Sequence, residues 1–451
     1  MFSAFIYLGI MLAVICLWFV LLKRPVYEAV FVSFVLLVAV TNKWTSVAGY
    51  VQAGLETPLI YSMVVFVAMS LLLARTKIID SSVNIILGLL GRLPGGAGYV
   101  SVVASSFMGS LSGSGPGNVM TTGVITIPAM KRSGFPAELA ANIESNASYL
   151  GNMIPPSSNI VAAFGAFVAL YPTEDLTIGK FWIVCWGCSL WFILMKLVMV
   201  FAFCKFYRVK PVAKEDLPSI GETLRNSWHG LLLPIIILAP FVLDFLYKDT
   251  VFTQRLGADG AKFFSGSTLF FVAGVAAFYA VLVAKDKRTV APRQIAALFG
   301  EKIKSISPAI GTCLLGYMIG ALFNDLDVAE GLKEGIGALD MGRMGLVLII
   351  PLFTAFMGMV IPGSSLVVMF GSVFIALLEG AGANPLLVAA MLPCICGVMC
   401  GITPPLALGM YAGMSIAESD FGKTVKNDLW VATQCMLEVV VLLGVLPILG
   451  L

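Results

Sequence analysis

Two stretches of this sequence repeat one another at a fixed distance. Phe107-Met108-Gly109 answers Phe356-Met357-Gly358, Pro136 answers Pro385, and Pro155-Pro156 answers Pro404-Pro405, each pair 249 positions apart. Met120 with Met369, and Ala140-Ala141 with Ala389-Ala390, keep the same register without a gap. Such a register argues for a structural unit built twice, which restricts the fold before any single element is assigned.

Both copies follow one pattern. An apolar run breaks at a cluster of Gly, Ser and Pro, resumes, turns, enters a long apolar segment and breaks again at Pro-Pro. At membrane depth an irregular backbone is tolerated only where it is buried in protein or lines a polar cavity. Interrupted helices at corresponding places in two halves point to the binding site of a secondary transporter. The setting is a membrane, because 59% of the residues are hydrophobic and 12% are charged, about half the charged share of a soluble domain. A net charge of +3, spread over loops, offers no footprint for nucleic acid. The nine cysteines lie almost entirely inside apolar segments, which reads as small buried side chains rather than a disulfide framework. The run Phe5–Leu22 has no basic region before it and no small-residue cleavage site after it, so it reads as a retained span.

Segments of about 20 apolar residues, enough to span a bilayer, fall near 3–22, 26–41, 58–74, 136–170, 181–204, 230–246, 266–284, 308–324, 385–417 and 428–450. The segments 136–170 and 385–417 are over-long because Pro-Pro interrupts them. The segments 95–130 and 341–380 hold too many residues for one span and break in their middles, so each reads as a re-entrant hairpin. With the N-terminus outside, the cytoplasmic loops carry 20 Lys and Arg and the outer loops carry 7, the expected bias. Lys196 falls inside a span, near enough to its inner end to snorkel to the headgroups. Asp244 and Glu379 fall at span ends and read as solvated.

Each half, 1–207 and 230–451, then holds five spans and one hairpin. An odd number of spans turns the second copy upside down, so the hairpin tips approach the midplane from opposite sides. The expected fold is an all-α polytopic membrane protein of two inverted repeats, each five spans plus one re-entrant helical hairpin. Its regions are scaffold spans and a surface helix in 1–94, transport-core half 1 in 95–172, scaffold spans and the inter-repeat loop in 173–340, transport-core half 2 in 341–420 and a last scaffold span in 421–451. Ile78–Leu93 and Ala291–Ser307 read as paired surface helices, either braces or plain connectors.

The chemistry concentrates at the breaks. In the first tip, Ser110 to Asn118, glycines let carbonyls turn inward, small hydroxyls add oxygen ligands, and the helix that follows presents free N–H groups suited to a carboxylate. Ser112, Gly115 and Asn118 are therefore substrate candidates. The second tip, Pro362-Gly363-Ser364-Ser365, is shorter, with Ser365 the substrate candidate. Pro-Pro frees upstream carbonyls, which places Asn152 and Thr403 where cation ligands are expected. Ser157, Ser158 and Asn159 open the next helix and either cap it or face the ligand. Glu138, Asn142, Ser145, Asn146, Tyr149 and Asn152 form a polar stripe at helical spacing. Glu144 lies nearly opposite, either a proton-coupling acid or a hydrogen-bonding partner of a neighbouring helix. No Gly-x-x-x-x-Gly-Lys-Ser/Thr loop is present, and the single histidine, His229, excludes multi-histidine metal sites. No cofactor and no catalytic group are expected.

At these residues the chain resembles the large membrane subunit of the tripartite ATP-independent periplasmic (TRAP) transporters. The run Ser112-Gly113-Ser114, then Asn118 through Pro128 to Gly134, is similar to the branch served by TAXI-type binding proteins, as are Ile402-Thr403-Pro404-Pro405 and Tyr411-Ala412-Gly413. The resemblance implies an elevator transporter of the bacterial inner membrane with its N-terminus in the periplasm. It also implies a small four-helix membrane subunit, a periplasmic substrate-binding protein, and import of an organic anion with Na+ or H+. The family's cation sites map by motif onto Ser112, Gly113, Ser114 and Asn152 in one half, and Gly363, Ser364, Ser365 and Thr403 in the other. Permeases of that branch are often longer fusions containing the small subunit, so here the small subunit is separate or the assembly differs. The rival readings are an ion-coupled carboxylate transporter that needs no binding protein, and an ion channel.

Overall fold

The breaks shared by the two copies are helix ends. In the computed structural model the first hairpin has one arm built from Gly96–Val100, Ser101–Ser105 and Ser106–Ser112, and a second arm, Gly115–Ser133. Its counterparts are Arg343–Gly358 and Gly363–Gly380. The first long segment runs from Ala137–Leu150 through the turn Gly151–Met153, stops, and resumes as Ser158–Leu170 with a bend of 40°. The second runs through Pro385–Leu392, Pro393–Val398 and Met399–Ile402 and resumes as Leu408–Ala417. Proline has no N–H to continue the helical ladder, and Ser157 restarts it by accepting from the Asn159 N–H at 3.2 Å.

The structure describes the chain apart from residues 1, 19–21, 23, 25, 57, 77, 113–114, 172–175, 214, 216, 218, 285, 329–330, 332–333, 335–341, 359–362, 403–406 and 446–451. Among the described residues there is no strand. The helices Ile178–Tyr207, Gly363–Gly380 and Phe421–Val445 are long and apolar enough to cross a membrane, and the bent pair Ala137–Met153 and Ser158–Leu170 joins them if it is one span.

One expectation about a connecting segment changes, and one segment gains a helix. Ala291–Ser307 is not a separate surface helix, because Pro292–Asp325 is one continuous helix. A short helix, Val47–Glu56, precedes Pro58–Thr76, and Tyr50 and Gly54 are its buried residues. The second arms are also long. Eighteen residues in Gly363–Gly380 extend about 27 Å, so an upright arm reaches across most of a hydrocarbon core about 30 Å thick.

The packing between copies is reciprocal. Leu408–Ala417 lies against Gly115–Ser133 and Ala137–Leu150, while its counterpart Ser158–Leu170 lies against Gly363–Gly380 and Pro385–Leu392. The outer helices exchange partners in the same way. Val26–Thr41 packs on Pro292–Asp325, and Pro58–Thr76 packs on Thr253–Val283. At the centre, Gly151–Met153 meets Pro393–Val398. Lys131, near the end of the first hairpin, donates to the Ala417 carbonyl at 2.6 Å and so covers a helix C-terminus of the other copy.

Helix Ile178–Tyr207 shows how the surface is sorted. Leu190, Leu194, Val198 and Phe201 are exposed along one stripe, while Cys185, Ser189, Phe192, Lys196 and Val200 are buried on the other. An apolar outward face suits lipid, and the polar side chains turn to the protein. Lys196 is 1% exposed, so it does not snorkel; its ammonium is engaged inside the bundle. Asp244, also 1% exposed, is buried rather than solvated at a span end.

Candidate functional site

The helix ends around the two breaks converge on a few side chains. Tyr149, in the last turn before the first break, fills a cradle of three glycines. A Cβ at Gly115 would lie 2.6 Å from Tyr149 Cε1, and Cβ atoms at Gly401 and Gly409 would collide with the same ring. Gly115 opens the second arm of hairpin 1, and Gly401 and Gly409 flank the second break. The Gly409 N–H also donates to Tyr149 Oη at 3.3 Å. One ring from the first copy thus seats the second copy's interruption against the start of a hairpin arm.

The other tip is seated on a backbone. A Cβ at Gly363 would lie 2.5 Å from the Cys396 carbonyl oxygen and from Gly397 Cα, and one at Gly397 would face Asn159 Nδ2 at 3.3 Å and Asn152 Cβ at 3.7 Å. The start of Gly363–Gly380, the irregular stretch Pro393–Val398 and the first break therefore meet at one place. Asn152 is 6% exposed there, and its Oδ1 has no hydrogen-bond partner. Asn159 is buried, Ser365 is buried, and Gly363, Ser364 and Ser158 are half-buried. Ser157 serves as the helix cap, the first of its two alternatives. Gly113, Ser114 and Thr403, and the side chain of Ser112, lie outside the described residues.

Asn118 is 1% exposed. Its Nδ2 donates to the Ser105 carbonyl at 2.8 Å and to Ser148 Oγ at 2.9 Å, and its Oδ1 has no partner. It ties the second arm of hairpin 1 to the first arm and to the helix before the break.

Glu144 does the same work with more contacts. Its Oε2 accepts from Ser101 at 2.6 Å and Thr126 at 2.5 Å; its Oε1 accepts from Thr122 at 2.5 Å, Ser105 at 2.8 Å and Ser148 at 3.3 Å. Ser101 and Ser105 belong to the first arm and Thr122 and Thr126 to the second, so one fully buried carboxylate joins both arms to the broken helix. A carboxylate only accepts, and hydroxyls can turn to donate; the residue types match the task.

The polar stripe is two sites rather than one. Tyr149 and Asn152 face the breaks, whereas Asn142 and Asn146 face helix Phe421–Val439. Asn146 Nδ2 donates to Asp428 Oδ1 at 3.2 Å, and Lys196 Nζ donates to Asn146 Oδ1 at 3.4 Å. Sequence reasoning passed over Asp428 and Glu438. Its last span was drawn to begin at Asp428, which made that acid an end residue. The helix begins at Phe421, so Asp428 lies two turns inside, and two acids within a long apolar helix were the available signal.

Residues 8–449 match the family described as the tripartite ATP-independent periplasmic transporter, DctM component. The chain belongs to that family. Among its relatives are the C4-dicarboxylate TRAP transporter large permease protein DctM of Pseudomonas aeruginosa, 25% identical over 75% of this chain and 73% of the relative, and the sialic acid TRAP transporter large permease protein SiaM of Vibrio cholerae, 20% identical over 89% and 88%. A third is the 2,3-diketo-L-gulonate TRAP transporter large permease protein YiaN of Escherichia coli, 24% identical over 76% and 75%. These are transport proteins rather than enzymes. The fold is shared with solved membrane transporters. Neisseria gonorrhoeae MtrF, of a class of antimetabolite efflux pumps, superposes with a TM-score of 0.65 at 12% identity over 88% of this chain and 82% of MtrF. The Alcanivorax borkumensis YdaH transporter gives 0.60 at 17% identity over 91% and 89%.

Proposed function

We propose that this chain is the permease subunit of a three-component system that imports a small organic acid, of the class of a C4-dicarboxylate, with Na+ or H+ by an elevator movement. The observation that carries the reading is the reciprocal packing of broken helices and hairpin arms. When element i of one copy contacts element j of the other and the exchange also holds, a two-fold axis relates the copies. An odd number of spans per half puts that axis in the membrane plane, which is the inverted-repeat plan with its site at the midplane. The hairpins and broken helices form the moving core, and the helices around them are the scaffold, in a bacterial inner membrane with the N-terminus in the periplasm. The long second arms are accommodated by tilt.

Within this frame the unpartnered Asn152 oxygen is a cation ligand, joined by the backbone around Gly363, Ser364 and Ser365 and, at the tips, by Ser112, Gly113, Ser114 and Thr403. The starts of Gly115–Ser133 and Ser158–Leu170 meet the substrate carboxylate, with Asn118 and Asn159 beside them. Five hydroxyl donors favour the hydrogen-bonding alternative for Glu144: it holds hairpin 1 rigid and moves with the core. The family description is tripartite, which supports a binding protein and a small four-helix subunit as partners; the similarity to the TAXI-type branch bears on which binding protein.

Uptake of a C4-dicarboxylate into proteoliposomes tests the reading. Accumulation is expected only with a cation gradient, the binding protein and the small subunit together, and Asn152→Ala should weaken its cation dependence without loss of expression. Full uptake by this chain alone would defeat the three-component assignment, and saturable counterflow should be present where a channel would show steady conductance.

A further inference from the structure

Away from the breaks, a second set of buried charges lies where helix Ala137–Leu150 passes between Ile178–Tyr207 and Phe421–Val439. Lys196 comes from one flanking helix, Asp428 and Glu438 from the other, and each is 4% exposed or less. Asn146 stands between them, accepting from Lys196 and donating to Asp428. Cys435 Sγ lies 3.6 Å from Lys196 Nζ. The ionisable groups that face Lys196 are Asp428, Glu438, Cys435 and Cys394. Arg343 and Tyr411 lie on two other helices packed against Phe421–Val439; Arg343 Nε donates to the Ala381 carbonyl at 3.2 Å while its buried Nη1 has no partner among the described residues, and Tyr411 stacks on the Phe421 ring.

The donors do not match the acids. Among the described residues, Asp428 Oδ2, both Glu438 oxygens and both ends of the Asn142 amide have no partner within full hydrogen-bond geometry, although the Asn142 amide is turned toward Asp428 and the Gln434 amide toward Glu438. Each buried ionised group carries a desolvation penalty of several kcal/mol unless it is paired and hydrogen-bonded. One ammonium balances one carboxylate, so a second ionised acid would stand uncompensated in a bundle closed to water.

We propose that Lys196, Asp428 and Glu438 form a proton-binding site, with Asp428 ionised and paired through Asn146 to Lys196, and Glu438 carrying one exchangeable proton. Glu438 is the carrier because only the Gln434 amide of its own helix turns toward it, whereas Asp428 receives Asn146 and also faces the Asn142 amide. The proton comes from and returns to water as the bundle opens. The coupling role rests on the core-and-scaffold reading above: Asn146 belongs to the core and the three charges to the scaffold, so movement of the core withdraws the amide that keeps Asp428 ionised. Position and proton occupancy are then linked in both directions.

Infrared difference spectroscopy between neutral and high pH, on the purified full chain in lipid nanodiscs, reads the carbonyl stretch of a protonated carboxyl without substrate or partner. A failure here is therefore separate from a failure of the transport reading. Wild type should show a protonated-carboxyl band at neutral pH that isotopic labelling of glutamate carboxyls shifts, which assigns it without any variant. Glu438→Gln should remove it. Lys196→Met and Asn146→Ala should each add a second band at neutral pH, lost again when combined with Asp428→Asn. A wild-type spectrum with no glutamate band overturns the site, and Lys196→Met and Asn146→Ala spectra like wild type overturn the link to the lysine and the amide.

Discussion

Replacing Glu144 is the sharpest test of what holds the first hairpin. In Glu144→Ala five hydroxyls lose their shared acceptor, but not all are stranded. Ser105 has Thr122 Oγ1 at 3.1 Å, Thr122 has the Asn118 carbonyl at 2.9 Å, and Thr126 has the Thr122 carbonyl at 3.2 Å. Ser101 and Ser148 keep no alternative acceptor for their protons, although Ser148 Oγ still accepts from Asn118 Nδ2 at 2.9 Å. Two unsatisfied buried hydroxyls, at about 1–3 kcal/mol each, predict a loss of about 2–6 kcal/mol. Rotation of either serine onto the carbonyl one turn back removes its share of that loss. Glu144→Gln keeps the shape and one acceptor oxygen, so it should lose much less. The assay is the unfolding midpoint of purified protein by intrinsic fluorescence, with limited proteolysis of residues 96–133 as a local readout. The expected order of stability is wild type, then Glu144→Gln, then Glu144→Ala, with hairpin cleavage rising along it and cation-driven uptake retained in Glu144→Gln. A Glu144→Gln protein as stable as wild type but with uptake freed from the cation gradient would refute the clamp and make Glu144 a coupling acid.

Other outcomes follow from packing and charge. Gly151→Ala would set a Cβ 2.5 Å from Gly109 Cα and Ser110 N; because these are backbone atoms, a destabilisation of at least about 1–3 kcal/mol is expected in the same melt. Gly187→Ala, in the middle of Ile178–Tyr207 with nothing within 4 Å of its new Cβ, should instead stabilise by about 0.5–1 kcal/mol. At the outer end of Pro292–Asp325, the Tyr50 hydroxyl at 2.5 Å and Lys43 at 2.9 Å hold the Asp325 carboxyl below its ordinary range. A lowered value makes the contact stabilising above about pH 3.9 and progressively lost below it. The melting midpoints of wild type and Asp325→Asn should therefore differ at neutral pH and converge in acid, by a small amount because the pair is exposed.

The features legible in the sequence were those written into the local backbone. Pro155-Pro156 and the glycines near 113–117 and 363 announce helix ends because they change donors and allowed dihedrals where they stand, and the helices stop at Met153, Ser112, Gly358 and Ile402. Pro292–Asp325 was misread because its polar first half and apolar second half look like two segments with Pro308 between them, yet the helix runs on through that proline. The Lys196, Asn146 and Asp428 cluster was not legible at all. It joins positions 50 and 282 residues apart, and nothing in the local pattern of Lys196 distinguishes a lysine reaching lipid headgroups from one reaching a buried amide. Which stripe of a helix faces protein and which faces lipid is decided by partners far away in the chain.

The exchange of partners between halves also has a consequence for biogenesis. Ser158–Leu170 has its seat on Gly363–Gly380, which begins 193 residues after it ends. At a synthesis rate of about 5–20 residues per second, that helix waits about 10–40 s in the bilayer before its neighbour is made. The first half must therefore be inserted in a loosely assembled form, with the lone asparagines and serines of its break sheltered by the insertion machinery, and the core closes only after the last third of the polypeptide has arrived.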